Sequence, residues 1–256
     1  MKLVRYLGPS GPVWGDHRGS EIAVLTGSFA QGFRPTGEAA PLPDRWLAPL
    51  TPSKIICAAR NYADHAREMG SQPPDEPRIF LKAPSSLIGP GEAILLPPGA
   101  GRVDPEGELA MVIGHRCKDL RPETALHAIF GYTLVNDVTA RVYQKKDRIF
   151  GRAKSFDSFC PAGPWVDTDF DPSDVAIQTE VDGVVRASGR TPQMIFGFAE
   201  LLVWISAIMT LEPGDVIATG TPPGVAPLQP GNHVTVRVEG LGELHSPVLE
   251  AAIPRA

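Results

Sequence analysis

The sequence predicts an α+β chain, mainly β. Three observations carry this: many short apolar runs, few stretches long enough for a helix, and no regular strand–helix alternation. Proline (27) and glycine (26) are spread along all 256 residues and cut the chain into short segments. A doubly wound parallel sheet would need the alternation that is missing. No repeat appears at a period of roughly 20–50 residues, which excludes a solenoid or propeller.

The length suits one full domain with a small appendage, at roughly 100–200 residues per domain. Residues 1–50 read as a small β-rich unit, with LVRYL and EIAVL as apolar runs between Gly, Pro and Asp. Arg34 to Pro52 carries five prolines and reads as a linker to a main body over 51–256. There SKIICAA is a buried-strand run, and Arg60 to Gly70 forms a short helix stopped by Gly70. Residues 79–82, 93–96 and 108–113 read as strands. Arg121-Pro122-Glu123 opens a helix to about Phe130, since proline is comfortable in a first turn. GYTLVNDVTA reads as a strand ending near Asp137.

Residues 176–181 and 184–187 form a hairpin around Asp182-Gly183. Thr191-Pro192 starts a helix to about Met209. Its apolar stretch, Ile195 to Leu211, contains Glu200 and is too short for a membrane span, so it reads as a core helix. Glu212 to Asp215 turns into a strand at Val216 to Thr219. HVTVRVEG, alternating with period two, is the last strand signal.

Composition narrows the function classes. Hydrophobic residues make up 43% and charged ones 21%, which supports a folded core. With a net charge of -5 and no run of Lys or Arg beyond two, neither a nucleic-acid stripe nor an anionic-membrane patch is expected. Cys57, Cys117 and Cys160 lie far apart without a CxxC pair, which fits buried thiols in a reducing compartment. The first residues lack an apolar signal-peptide core. The expected location is cytoplasmic.

Four groups of residues could carry chemistry. In Asp104-Pro105-Glu106-Gly107-Glu108, leading into LAMVIG, the two glutamates lie two apart and share a strand face. Two neighbouring carboxylates repel, and a hard divalent cation such as Mg²⁺ relieves that. A solvated acidic strand start is the alternative. Asp137, where an apolar strand turns polar, is a third candidate ligand, or else a cap for the next segment. His65 and Glu68, three apart on a helix, could form a dyad in which the carboxylate fixes the imidazole tautomer. On spacing alone, the ordinary polar face of a surface helix is the favoured reading.

Lys154 follows a basic stretch of Arg141, Lys145, Lys146, Arg148 and Arg152. Cations near a metal could stabilise an enolate, though most of that run reads as a solvated face or loop. Gly220-Thr221-Pro222-Pro223-Gly224 could offer Thr221 and backbone N–H groups to an anion. The sequence has no P-loop, GxGxxG, HExxH or GxSxG motif, and its remaining histidines lack zinc-type spacing.

Taken in order, these segments resemble the fumarylacetoacetate hydrolase family, in its short acylpyruvate-hydrolase-like branch. The matching stretches are Asn61 to His65, Phe80-Leu81-Lys82, Glu106 to Ala110 and Asn136 to Arg141. They continue through Lys154 to Asp157 and Gly214 to Pro222, spanning about 53 to 249. The resemblance implies a mixed β-roll or barrel-like catalytic domain over 51–256, and a homodimer. It implies Mg²⁺ or Mn²⁺ on Glu106, Glu108 and Asp137. His65 and Glu68 would activate water, on a lid segment that orders over bound ligand, and Lys154 would stabilise negative charge.

Arg60, Arg141, Gln144 and Thr221 would contact a small 2-oxo acid. Such a site serves hydrolysis of a C–C bond in an acylpyruvate. It equally serves decarboxylation or keto–enol isomerisation of oxaloacetate-like or ring-cleavage-derived acids, and a non-catalytic binding protein is the remote alternative. The sequence departs from the family where Val142 replaces the usual Asp after Arg141, a change expected to reshape the substrate pocket. Asn232 stands where an acidic residue is usual near the C-terminus.

Overall fold

Strand formation follows the apolar runs. The structure is a computed structural model that describes residues 1–252. Its longer strands are β1 (Lys2–Gly8), β2 (Gly11–His17), β3 (Glu21–Ser28), β4 (Gly32–Pro41), β5 (Ile55–Ala59), β6 (Arg78–Lys82) and β7 (Gly107–Ile113). They continue with β8 (Ile129–Asn136), β9 (Cys160–Asp167), β10 (Ala176–Val181), β11 (Val184–Arg190), β12 (Val216–Ala218), β13 (His233–Val238) and β14 (Gly242–Glu250). The main sheet runs β4-β3-β2-β1-β9-β8-β7-β12-β5-β6. A second runs β11-β10-β13-β14 and ends on Ile94–Leu96. Four α-helices, α1 (Ala63–Glu68), α2 (Arg141–Asp147), α3 (Gly151–Lys154) and α4 (Phe198–Ile208), complete a mainly β, α+β fold.

β7 explains where the core sits. All seven of its residues are buried, as a strand covered on both faces must be. Ala110 and Val112 pack with Leu3, Ile55, Cys57, Val135 and Cys160. On the other face Met111 and Ile113 meet Leu201, Leu202 and Ile205 of α4. All three cysteines are buried and unpaired. Among the described residues no helix is long and apolar enough to cross a membrane.

Several elements differ from the sequence reading. The expected linker holds β4, whose Pro35 and Pro41 pair with Leu25 and Glu21. β4 is the edge of its sheet, where a missing N–H costs little. The helix expected from Arg121 to Phe130 shrinks to a 3₁₀ turn at Ala125–Ala128, because Ile129 already joins β8. The helix expected from Thr191 splits into a 3₁₀ turn at Thr191–Gln193 and α4, which begins after Gly197. Of the basic stretch, Arg141–Asp147 and Gly151–Lys154 are helical, and Lys145, Lys146, Arg148 and Arg152 are exposed, as a solvated face would be. β9 and β14, each interrupted by proline, were not foreseen.

Candidate metal and active site

The register of one strand pair assembles the acidic groups. β7 and β8 are antiparallel, with Gly107 opposite Asn136, so Glu106 meets Asp137 just beyond the paired ends. The Asp137 N–H donates to the Glu106 carbonyl at 2.8 Å, and the Glu106 N–H donates to Asn136 Oδ1 at 2.9 Å. Glu108 lies two residues along β7, on the same side as Ala110. Each of Glu106, Glu108 and Asp137 offers an oxygen within 4.8 Å of the others, and all three are buried.

Cations surround this triad. Lys154 Nζ donates to Glu106 Oε2 at 2.5 Å and also to Asp137 Oδ2. Arg141 reaches Glu106 Oε1 at 2.6 Å, Asp104 Oδ2 at 2.7 Å and Gln144 Oε1 at 3.0 Å. Lys82, 1% exposed, lies beneath: its Nζ is 2.8 Å from Asp137 Oδ1 and donates to the Lys154 carbonyl. That ion contact lacks hydrogen-bond alignment, so Asp137 Oδ1 is a buried oxygen without a hydrogen-bond partner.

Burial alone would raise Glu106, but Arg141, Lys154 and His65 together hold it well below the usual carboxylate range. Burial, then the charges of Asp137 and Glu106, push Glu108 well above that range, although the Gly220 N–H donates to its Oε2 at 2.7 Å. Burial would lower Lys154, yet Asp137 and Glu106 outweigh it and keep the ammonium charged.

The donor set fits a hard divalent cation. Carboxylate oxygens are what Mg²⁺ and Mn²⁺ prefer. The crowding of three buried carboxylates, each with an oxygen within 4.8 Å of the others, is the feature that such an ion would relieve.

α1 brings the dyad alongside. His65 is buried, with Nδ1 3.2 Å from Glu68 Oε2 and Nε2 3.7 Å from Glu106 Oε1. The Gly224 N–H donates to both Glu68 oxygens, at 3.0 and 3.2 Å. The Gly220–Gly224 loop thus spends two N–H groups on the protein's own carboxylates, where an external anion had been expected. Asn61 fixes the approach to α1, donating to the Phe196 and Thr219 carbonyls and accepting from the Phe196 N–H.

A cavity of about 1010 Å³ gathers all ten expected residues: Arg60, His65, Glu68, Glu106, Glu108, Asp137, Arg141, Gln144, Lys154 and Thr221. Val142 is not among its lining. Its side chain is 48% exposed and lies against Gly101, so the expectation that it reshapes the pocket is corrected.

Residues 54–249 match the family model described as fumarylacetoacetate (FAA) hydrolase C-terminal. The chain belongs to the fumarylacetoacetate hydrolase family. Residues 1–49 match a second model, Rv2993c-like, N-terminal. The chain is 49% identical over 223 residues to Protein Rv2993c of Mycobacterium tuberculosis, covering 86% of this chain and 84% of that one. It is 42% identical to the mitochondrial oxaloacetate tautomerase FAHD2A of Bos taurus, over 80% of this chain and 69% of the other.

Among solved structures, 5-carboxymethyl-2-hydroxymuconate delta-isomerase from Mycobacterium smegmatis superposes with a TM-score of 0.91 at 44% identity, covering 98% and 100% of the two chains. Fumarylpyruvate hydrolase from Pseudomonas aeruginosa, in complex with Mn²⁺ and pyruvate, gives 0.75 at 31% identity, covering 81% and 93%. The family thus includes hydrolases, isomerases and tautomerases.

Sequence reasoning gave no role to Lys82, Asp104 or Asn136. A lysine ending the apolar strand IFLK was the available signal, because an unpaired cation is not buried in a core without an acid beside it.

Proposed function

We propose that this protein is a divalent-metal-dependent enzyme that hydrolyses a C–C bond in an acylpyruvate-type 2,4-dioxo acid. The observation that carries this reading is the His65–Glu68 dyad set beside the buried acidic triad. Glu106, Glu108 and Asp137 would hold Mg²⁺ or Mn²⁺, which when bound would orient and polarise a chelating 2-oxo acid. Glu68, anchored by the Gly224 N–H, accepts the Nδ1 proton of His65 and so leaves Nε2 to take a proton from water inside the cavity. Lys154, buried and charged, stands ready to offset negative charge on the departing enolate oxygen. Arg141, which donates to both Gln144 and Glu106, would hold the substrate carboxylate together with Gln144, with Arg60 and Thr221 on the other walls.

A second reading is keto–enol tautomerisation or isomerisation of a 2-oxo acid. It is favoured by the higher identity to the isomerase and the tautomerase than to the hydrolase. In that reaction His65 moves a substrate carbon proton and no water attacks. Decarboxylation of an oxaloacetate-like acid would use the same charged groups. The buried free thiols support a cytoplasmic setting, and a homodimer is the expected assembly.

An assay with Mg²⁺ or Mn²⁺ on acetylpyruvate, fumarylpyruvate and oxaloacetate separates these, reading diketone loss, enol absorbance and CO₂. Hydrolysis yields two organic acids, tautomerisation changes only the enol signal, and CO₂ marks decarboxylation. Metal-dependent diketone cleavage that His65→Ala leaves unchanged would sink the dyad mechanism.

A further inference from the structure

Five acids border the cavity. Four of them have a part already: Glu106, Glu108 and Asp137 in the triad, and Glu68 in the dyad. The fifth, Asp104, is 0% exposed, so it is shielded from any ligand in the cavity. A buried carboxylate is costly unless it is paired, and its partners show what it does.

Two guanidinium groups share it. Arg102 Nε donates to Asp104 Oδ1 at 2.8 Å, and Arg141 Nε donates to Oδ2 at 2.7 Å. The two arginines are not equivalent. The Arg102 side chain is 51% exposed and that of Arg141 only 12%. Arg102 covers the carboxylate from the solvent side, and Arg141 faces the acidic floor.

The backbone puts Asp104 in place. Val103–Asp104 and Thr139–Ala140 form a short antiparallel ladder, with Asp104 opposite Thr139. The ladder stops where α2 starts, and the Arg141 N–H donates to the Arg102 carbonyl at 2.8 Å. The segment 102–104 therefore fixes both the main chain and the side chain of Arg141.

Arg141 keeps two donors free. A guanidinium carries five N–H groups in a planar fork. Nε is taken by Asp104, one Nη1 donor by Gln144 at 3.0 Å and one Nη2 donor by Glu106 at 2.6 Å. One N–H remains on each Nη, and a carboxylate accepts two such donors at once. Without Asp104 the Nε–H would lose its acceptor beside Glu106. The guanidinium would then turn to give Glu106 both Nε–H and Nη2–H, since paired bonds are what Arg and carboxylate favour. That turn would re-aim the two free donors.

We propose that Asp104 is a positioning residue: by holding Arg141 Nε it aims the free Nη donors at the substrate carboxylate and keeps the guanidinium from closing on Glu106. This rests on the reading of Arg141 as the grip on that carboxylate. Asp104 itself touches no substrate.

The probe is oxalate, a planar chelator that presents a carboxylate as a 2-oxo acid does. Calorimetry on the full chain measures Mn²⁺ binding, then oxalate binding to the Mn²⁺-loaded protein. It compares the unaltered chain, Asp104→Asn, Arg141→Lys and the double variant. Asp104→Asn should weaken oxalate about tenfold, as loss of an aimed charge-assisted contact would, with Mn²⁺ affinity held within about threefold. Lysine has no Nε–H fork to be held, so in the Arg141→Lys background Asp104→Asn should weaken oxalate little further. A purely structural Asp104 would weaken oxalate equally in both backgrounds, and that result would overturn the proposal. So would an unchanged oxalate affinity in Asp104→Asn, or a loss of Mn²⁺ affinity as large as the loss for oxalate.

Two outcomes strike the underlying reading instead. If Arg141→Lys bound oxalate as tightly as the unaltered chain, the grip assigned to Arg141 would fall, and the positioning role with it. If the unaltered chain bound no oxalate, the 2-oxo acid floor itself would fall. Should Asp104→Asn fail to fold by circular dichroism, Asp104→Glu takes its place in the same cycle. It keeps the charge, displaces it by one methylene and is judged by the same outcomes.

Discussion

At the scale of single residues, Lys82 shows how the site's chemistry and the fold's stability share atoms. It is fully buried, contacts Asp137 and holds the backbone carbonyl of Lys154. Removing one member of a buried ion pair leaves an uncompensated charge, and that typically costs about 3–5 kcal/mol. Lys82→Met keeps the length of the side chain and should lower urea-unfolding stability by that order. A loss below about 1 kcal/mol would show that Lys154 alone balances Asp137. The dyad makes a contrasting prediction, since Glu68 is a third exposed and structurally replaceable. Glu68→Gln should reduce kcat about 100-fold while leaving Mn²⁺ affinity near its original value. Equal losses in both quantities would recast Glu68 as a support of the metal site.

At the scale of elements, the Gly220–Gly224 loop ties β12 to α1. Gly224 has φ 114°, and a Cβ there would lie 1.9 Å from the Arg186 carbonyl oxygen. Gly224→Ala should therefore displace the loop and withdraw the N–H that holds Glu68. The expected outcome is lower stability together with a lower kcat, read by thermal unfolding and steady-state kinetics. Full activity with a wild-type Tm would show that the loop adapts.

Legibility from sequence divides along similar lines. SKIICAA and ELAMVI were readable because their apolar runs are bounded by charge, and Asp182-Gly183 because a two-residue hairpin demands that chemistry. β9 was not, since Pro161 and Pro164 break its signal, and pairing with β1, β8 and the short strand Leu87–Ile88 makes it a strand. The acids of the site were legible as residue types. Their convergence depends on the β7–β8 register, and Lys82 reaches them from a strand that does not pair with either.

At the scale of the whole molecule, two equilibria report on how the parts depend on each other. A cation that binds only the native state stabilises it by about 2.7 kcal/mol at a hundred times Kd. Mn²⁺ should thus raise Tm, EDTA should reverse the shift, and Glu106→Gln should abolish it. A shift that persists in that variant would place the ion elsewhere.

The N-terminal strands pose the larger question. β1 extends the main sheet by pairing with β9, and Leu3, Leu25 and Phe29 belong to the same apolar cluster as Ile55, Val112 and Val216. Trp14, Phe33 and Phe130 close that cluster from outside. Deleting residues 1–49 would uncover it and leave the Val166–Asp167 end of β9 unpaired, a ready template for aggregation. The shortened chain is expected to be insoluble, or to unfold at much lower urea than the full chain. If it instead stayed monodisperse and cooperatively folded, residues 1–49 would be a separable domain docked on a self-sufficient body. The shared sheet and shared core argue for the first outcome, in which the N-terminal unit completes the fold that holds the site.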